Sequence, residues 1–239
     1  GAVGTRRLRV LAAGARGTAW LPGNRFGHTP FGGLLDAVRI SSRVPTLAEI
    51  QAGRATPLTP PVTTLVTAYG MNEGSGTTVA DTSGSGHTGT LVNGPAWVAS
   101  QATYGQALSF DGLDDAVSVA NPVTYNFGTA AFTLEIWVKR NVLGGPQRHL
   151  FSKCAAAIWE LGCKELYFNP SNQLTFGAFA TGDTVSSTIA DTNWHHIAVT
   201  FTDPTNLLNI HVDGPLLTTA PKPLETAAPG HAAVLAALS

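Results

Sequence analysis

The stretch from Ala107 to Val119 constrains the chain most: Leu108 and Phe110 alternate with Ser109 and Asp111, Gly112 interrupts, and Val117 and Val119 resume the alternation. A two-residue period on either side of a glycine is the pattern of strand, tight turn, strand. Gly112 accepts a positive φ without a steric penalty. Asp111, Asp114 and Asp115 have short carboxylates that bond nearby backbone N–H groups, so these four residues are expected to shape a turn rather than do chemistry.

The same period recurs along the chain. Phe132, Leu134, Ile136 and Val138 face one way and Thr133, Glu135, Trp137 and Lys139 the other, which leaves Trp137 either half-buried under a loop or part of an aromatic platform. Ile197, Val199 and Phe201, a turn at Asp203-Pro204, and Leu208, Ile210 and Val212 form a hairpin. Leu150 to Ser152, Glu165 to Phe168 and Leu174 to Phe179 add further strands. With 26 Gly and 15 Pro and only 12% charged residues, about half the usual share, the chain suits many short strands joined by turns.

Other segments carry a family resemblance when taken in order with Phe110-Asp111-Gly112-x-Asp114-Asp115-x-Val117-x-Val119. They are Met71 to Gly76, Asp81-Thr82-Ser83-Gly84-Ser85-Gly86-His87-Thr88-Gly89, Tyr104-Gly105, Phe132 to Lys139, Trp194 to Val199 and His211 to Gly214. The series resembles the bacterial laminin-G-like (LamG-like) jelly rolls of the concanavalin A-like class. The resemblance implies an all-β, two-sheet antiparallel jelly-roll sandwich with one short helix.

A further piece stands out of family order. Phe31 to Ile40 is similar to the family's last strand and Leu47 to Gln51 to the helix after it, yet here they precede the first strand, Leu65 to Tyr69. Thr46 and Glu49 can form a capping box for that helix and Gly53 can end it. The expected organisation is therefore residues 1–58 as a closing strand and helix, residues 62–219 as a jelly roll lacking its usual last strand, and residues 220–239 as an irregular Ala/Pro-rich tail. The first segment is either the remnant of a preceding repeat or the permuted end of this same domain, lying beside Leu65 to Tyr69. It carries eight Arg against Asp36 and Glu49, while the remainder carries 6 basic and 13 acidic residues, so the two parts attract.

No pattern for catalysis emerges. Sandwich glycosidases set two carboxylates on alternate positions of one strand, and no Glu-x-Asp-x-Glu occurs here. Glu160 and Glu165 are five apart across a turn. His195 and His196 are strand neighbours that point to opposite faces, so one is expected packed and one exposed. Gly74-Ser75-Gly76 lacks the lysine of a phosphate loop. The chain is read as not an enzyme.

One loop offers ligand atoms for a hard cation, which takes about six to eight oxygens. It holds Asp81, Ser83, the carbonyls of Gly84 and Gly86, and His87; the resemblance adds Asp36 of the closing strand and names calcium as a structural ion. Cys154 and Cys163 flank a segment between two strands that read as paired, which would bring their Cα atoms within the roughly 4.4–6.8 Å a disulfide needs, although two buried free thiols fit as well.

The resemblance implies a recognition module that binds carbohydrate or an extracellular protein at the cell surface or in a matrix, within a secreted multidomain bacterial protein. Two other readings remain: an accessory binding domain of an extracellular glycoside hydrolase or other hydrolase whose catalytic domain lies elsewhere, and a structural spacer in a tandem-repeat surface protein. A net charge of −1 gives no reason to expect nucleic acid, and no window is long and apolar enough to span a bilayer. The absence of an initiator Met and of a cleavable apolar leader suggests a piece of a longer chain with further domains. The ligand-binding residues cannot be named, because Trp20, Trp97, Tyr104 and Trp159 are scattered through the sequence.

Overall fold

The computed structural model describes residues 29–57, 65–101, 103–119, 127–154, 163–178, 182–222, 224 and 232–235. Its elements are β1 (Thr29–Pro30), β2 (Gly32–Ser41), α1 (Leu47–Ala55), β3 (Leu65–Tyr69), β4 (Thr78–Val79), β5 (Gly89–Val92), β6 (Ala96–Ala99), β7 (Gln106–Asp111) and β8 (Ala116–Val119). There follow β9 (Phe132–Arg140), β10 (Arg148–Cys154), β11 (Lys164–Phe168), β12 (Gln173–Ala178), β13 (Gly182–Thr188), β14 (Trp194–Thr202), β15 (Leu207–Val212), β16 (Leu216–Pro221) and β17 (Ala232–Leu235). They form an antiparallel two-sheet jelly-roll sandwich. One sheet runs β13-β12-β11-β10-β17-β8-β5-β4 with β1 added in parallel to β10; the other runs β16-β15-β14-β9-β2-β7-β6 with β3 added to β2.

The alternation read from the sequence decides what each strand buries. Ile136, Val138, Ile197, Val199, Leu208 and Ile210 turn inward from one sheet and Leu166, Phe168, Leu174 and Phe176 from the other, all at 2% exposure or less. Phe132 stacks on Phe201 at 5.7 Å and on Phe127 at 5.0 Å. Each such side chain contributes about 1.5–3 kcal/mol by leaving water. Lys153 and Lys164, opposite one another on β10 and β11, also line the interior beside Ile40, Phe132 and Phe176, where burial pulls both amines down to about 8.

β2 is the spine of its sheet. On one side it pairs with β9; on the other its first half pairs with β7 (Leu35 opposite Leu108) and its second half with β3 (Val38 opposite Tyr69). The switch falls at a bulge: Asp36 opposes Trp137 but Arg39 opposes Glu135, and the extra residue, Ala37, has φ 45°. A bulge of this kind bends a strand, which lets β2 change partners midway. Gly33 is obligatory for a different reason: a Cβ there would collide with the Lys139 carbonyl and the Phe31 ring.

Two local details differ from expectation. Thr46 and Glu49 do form a capping box (3.2 and 2.7 Å), but the helix continues through Gly53 to Ala55. The cause lies beneath it: the Arg39 guanidinium donates to the carbonyls of Gly53 and Thr56 and holds the last turn in place. Residues 232–235, within the stretch read as an irregular tail, form β17, inserted between β10 and β8. Ala-Ala-Val-Leu is a short continuous apolar run, which suits a central strand but has no period to announce it.

Candidate functional site

The loop at Asp81 is organised from within. Asp81 Oδ1 accepts from the backbone N–H groups of Ala68 and Ser83 (3.0 Å each) and Oδ2 from that of His87 (2.9 Å). Burial raises its pKa, but these bonds outweigh it and the carboxyl lies below its usual range. Ser83 Oγ accepts from Ser85 N–H, and His87 Nδ1 lies 3.1 Å from the Val66 carbonyl. Asp36 does not join this group through any of its hydrogen bonds: its oxygens accept from Ala37 N–H and Ser100 Oγ, and burial pushes its carboxyl up to about 7. Gly84 and Gly86 supply the positive-φ corners, at 89° and 79°. Three backbone N–H groups are aimed at Asp81, so its carboxylate organises the loop from within.

The turn acids come closer together. Ligand oxygens of Asp111, Asp114 and Asp115 lie within 4.8 Å of one another, the only such trio of His, Cys, Asp or Glu among the described residues. Asp111 Oδ1 accepts from Leu113 N–H (2.7 Å) and Asp115 Oδ2 from Asp111 N–H (2.9 Å), while Gly112 takes φ 82°. Burial, together with the charges of Asp111 and Asp114, raises the Asp115 pKa. The residues make the turn and also form an acidic cluster that could hold a metal ion.

A larger constellation lies on the outer face of the nine-stranded sheet, and sequence reading missed it. A single cross-strand row crosses the sheet: Thr78, Thr90, Ser118, Val234, Ser152, Glu165, Gly177 and Asp183. At about 4.8 Å per strand the row is about 34 Å long. Its β4, β5, β8 and β10 positions are hydroxyls, all exposed or half-exposed. At the β10 to β13 end stands a cluster of polar side chains. His149 packs on Tyr167 at a tilt (5.0 Å, 31°) and lies 3.3 Å from Glu165 Oε2, and Tyr167 donates its hydroxyl to Asp183 Oδ2 (2.7 Å). Burial, then the Asp183 carboxylate, hold the Tyr167 phenol far above its ordinary pKa. Glu165 and Asp183 flank Gly177, so no side chain stands between the two carboxylates in the row.

Other anticipated residues are placed as follows. Trp137 is 8% exposed, packed against Tyr104 (5.7 Å) and edge-on to His196 (5.4 Å) on the opposite sheet's outer face. His196 is fully buried, and His195 is half-buried between Asp191 and Asp213 at 2.9 and 2.8 Å. Trp97 donates to the Gly76 carbonyl and packs at the edge of the core. Trp20, Trp159 and the Cys154 side chain lie outside the described residues, as does Glu160; Cys163 is buried. No described helix is long and apolar enough to cross a membrane.

Comparison with known proteins adds the family. Among solved structures the chain is similar to a heptameric SAP-like pentraxin from Limulus polyphemus, at 15% identity and a TM-score of 0.33, covering 45% of this chain and 52% of that one. It is also similar to a protein from Bacteroides ovatus provisionally described as carbohydrate binding, at 11% identity and a TM-score of 0.26, covering 87% of this chain and 66% of that one. The chain thus spans about half and two thirds of their lengths. No curated protein matches it. The Laminin_G_3 family model matches residues 110–236, running through the stretch that holds β17. The chain therefore belongs to the Laminin_G_3 family of the concanavalin A-like lectin/glucanases superfamily.

Proposed function

We propose that the protein is a non-catalytic recognition module that binds carbohydrate along the outer face of its nine-stranded sheet. The observation that carries this reading is the polar row from Thr78 to Asp183 with His149 and Tyr167 beside it. Exposed and half-exposed hydroxyls along a sheet, ending at the exposed Asp183 carboxylate, match a polyhydroxylated ligand better than an apolar one. Glu165 and Asp183 are read as binding groups, because each is already engaged, by His149 and Tyr167 respectively. A glycan array probed with the purified protein tests the reading: selective capture of oligosaccharides supports it, and an empty array overturns it.

The setting is part of the same proposal: an extracellular or cell-surface location, within a longer multidomain bacterial chain. Residues 29–57 are assigned to the same domain as the strands that follow, supported by the pairing of β2 with β3, β7 and β9. A Cys154–Cys163 disulfide is proposed from register, since Ser152 opposes Glu165 and Lys153 opposes Lys164, which makes the cysteines the next pair. Calcium is assigned to the acid turn rather than to Asp81. A melting temperature that rises with calcium over chelator, in wild type and Asp81→Ala but not in Asp115→Asn, supports that placement; the reverse pattern, or no shift in any of them, refutes it.

A further inference from the structure

Two lysines face one another inside the sandwich. Lys153 on β10 is directly opposite Lys164 on β11, and the two are only 1% and 3% exposed. Lysine is seldom buried this deeply. Both side chains line a cavity between the sheets whose other walls are Ile40, Phe127, Phe132, Leu134, Phe151 and Phe176, all of them apolar. Beyond Lys164 the same cross-strand row continues with Ala178, whose single methyl leaves room beside the amine.

Their chemistry follows from that position. Directly opposed residues on antiparallel strands have Cβ atoms about 4.5–5.5 Å apart, so two flexible four-carbon stems bring their amines within reach of each other. Burial in apolar surroundings disfavours the ammonium form; it pulls both amines down to about 8, and the charge of Lys164 adds to the effect on Lys153. An exposed lysine, at about 10.4, keeps almost no free amine at neutral pH, whereas this pair keeps a substantial neutral fraction. A neutral amine is a nucleophile, and here a second amine stands ready to take its proton.

We propose that Lys153 is a carbamate-forming site, at which its amine adds carbon dioxide and the Lys164 ammonium holds the product. The Nζ lone pair of Lys153 attacks the carbon, one C=O pair moves onto oxygen, and the proton lost from Nζ passes to the Lys164 amine; nothing is oxidised or reduced. Two neutral amines and one carbon dioxide become a carbamate and an ammonium, an ion pair with no net charge. Carbon dioxide suits the cavity because it is small, uncharged and carries no hydrogen-bond donor to strip of water. An aldehyde could condense with one amine, but the imine formed is neutral and gives the second lysine no anion to hold. The pair of lysines, rather than either alone, therefore selects the ligand.

The test uses the full chain equilibrated with carbon-13 bicarbonate at mildly alkaline pH. Carbon-13 NMR reads the carbamate directly, and triethyloxonium, which alkylates a carbamate to its stable ethyl ester, fixes it for mapping. After reduction and trypsin digestion, mass spectrometry should find the label on a peptide left uncut at Lys153 and running from His149 to Lys164, since a lysine blocked at Nζ is not cleaved. Lys153→Met should remove one carbamate resonance and Lys164→Met most of its intensity, while Lys139→Met, at a half-exposed position of β9, leaves it unchanged. Label absent from Lys153, or a spectrum unchanged in either variant of the pair, overturns the site. Should a variant fail to fold, urea-unfolded wild type decides: loss of the label at Lys153 on unfolding supports the proposal, and label that persists there is the property of an ordinary amine and refutes it.

Discussion

The two outer faces of the sandwich start from the same period-two alternation and end as opposites. On the nine-stranded sheet the outward row carries exposed or half-exposed hydroxyls at Thr78, Thr90, Ser118 and Ser152 and an exposed carboxylate at Asp183, with His149, Glu165 and Tyr167 the buried stretch near its end. On the eight-stranded sheet the outward positions Arg39, Glu135, Trp137, His196 and His211 are buried to 8% exposure or less, with α1 tied over them through Arg39 and Arg54. The contrast teaches that facing away from the core does not make a residue a surface residue. A polar row left open can meet a ligand from solvent, whereas a polar row under a helix is closed to one.

The largest expected effect belongs to neither face and sets the baseline. Leu35→Ala, at a fully buried position of β2, should cost about 2–5 kcal/mol in chemical denaturation. It should impair both faces alike, because Leu35 belongs to the core that the two sheets share; a loss confined to one face would break the comparison. Next comes Asp36→Asn at the edge of the covered face. The folded carboxyl titrates at about 7 against 3.8 unfolded, so ionising it in the fold destabilises progressively between those values and fully above them. The variant should therefore be more stable than wild type at pH 8, by at most about 4 kcal/mol, with the gain gone by pH 4. A gain that does not depend on pH would contradict this.

Tyr167→Phe acts on the open face. It removes a hydrogen bond to the Asp183 carboxylate, which should cost roughly 1–3 kcal/mol, together with carbohydrate affinity. Unchanged affinity would move the ligand away from this end of the row. His195→Gln should have the smallest effect, about 1 kcal/mol or less, since both carboxylate partners are exposed, Asp191 by 48% and Asp213 by 38%. Its sign is fixed by linkage. The bond His195 donates to Asp213, then that to Asp191, raises its pKa, so the contribution is complete below about pH 6.5 and disappears as pH rises through the folded value. Thermal melts of wild type and variant should converge at alkaline pH.

The fold was legible where alternation is strict, as in β9, β14 and β15, and where the Gly112 turn interrupts it. β2 was visible through family likeness, but its split pairing was not, because a bulge at Ala37 has no composition of its own. β17 escaped notice because four apolar residues carry no phase. The open-face cluster was hidden for a topological reason. Its members sit at positions 149, 165, 167 and 183 on four strands, and only the register of β10 to β13 brings them together. A search for paired acids within one strand passes over Glu165 and Asp183, which meet across Gly177. In the Asp81 loop the carboxylate oxygens are turned to backbone N–H groups, a choice that residue types alone do not reveal.

The central claim, that the open face reads the ligand and the covered face does not, is tested most directly by calorimetric binding of an array-selected oligosaccharide to two charge variants. Ser118→Arg plants a long side chain in the middle of the polar row, and Lys139→Glu alters an outward position of β9 on the opposite sheet. The account predicts that Ser118→Arg abolishes binding while Lys139→Glu retains wild-type affinity, with both proteins melting as wild type does. Binding that survives Ser118→Arg and is lost in Lys139→Glu would contradict it.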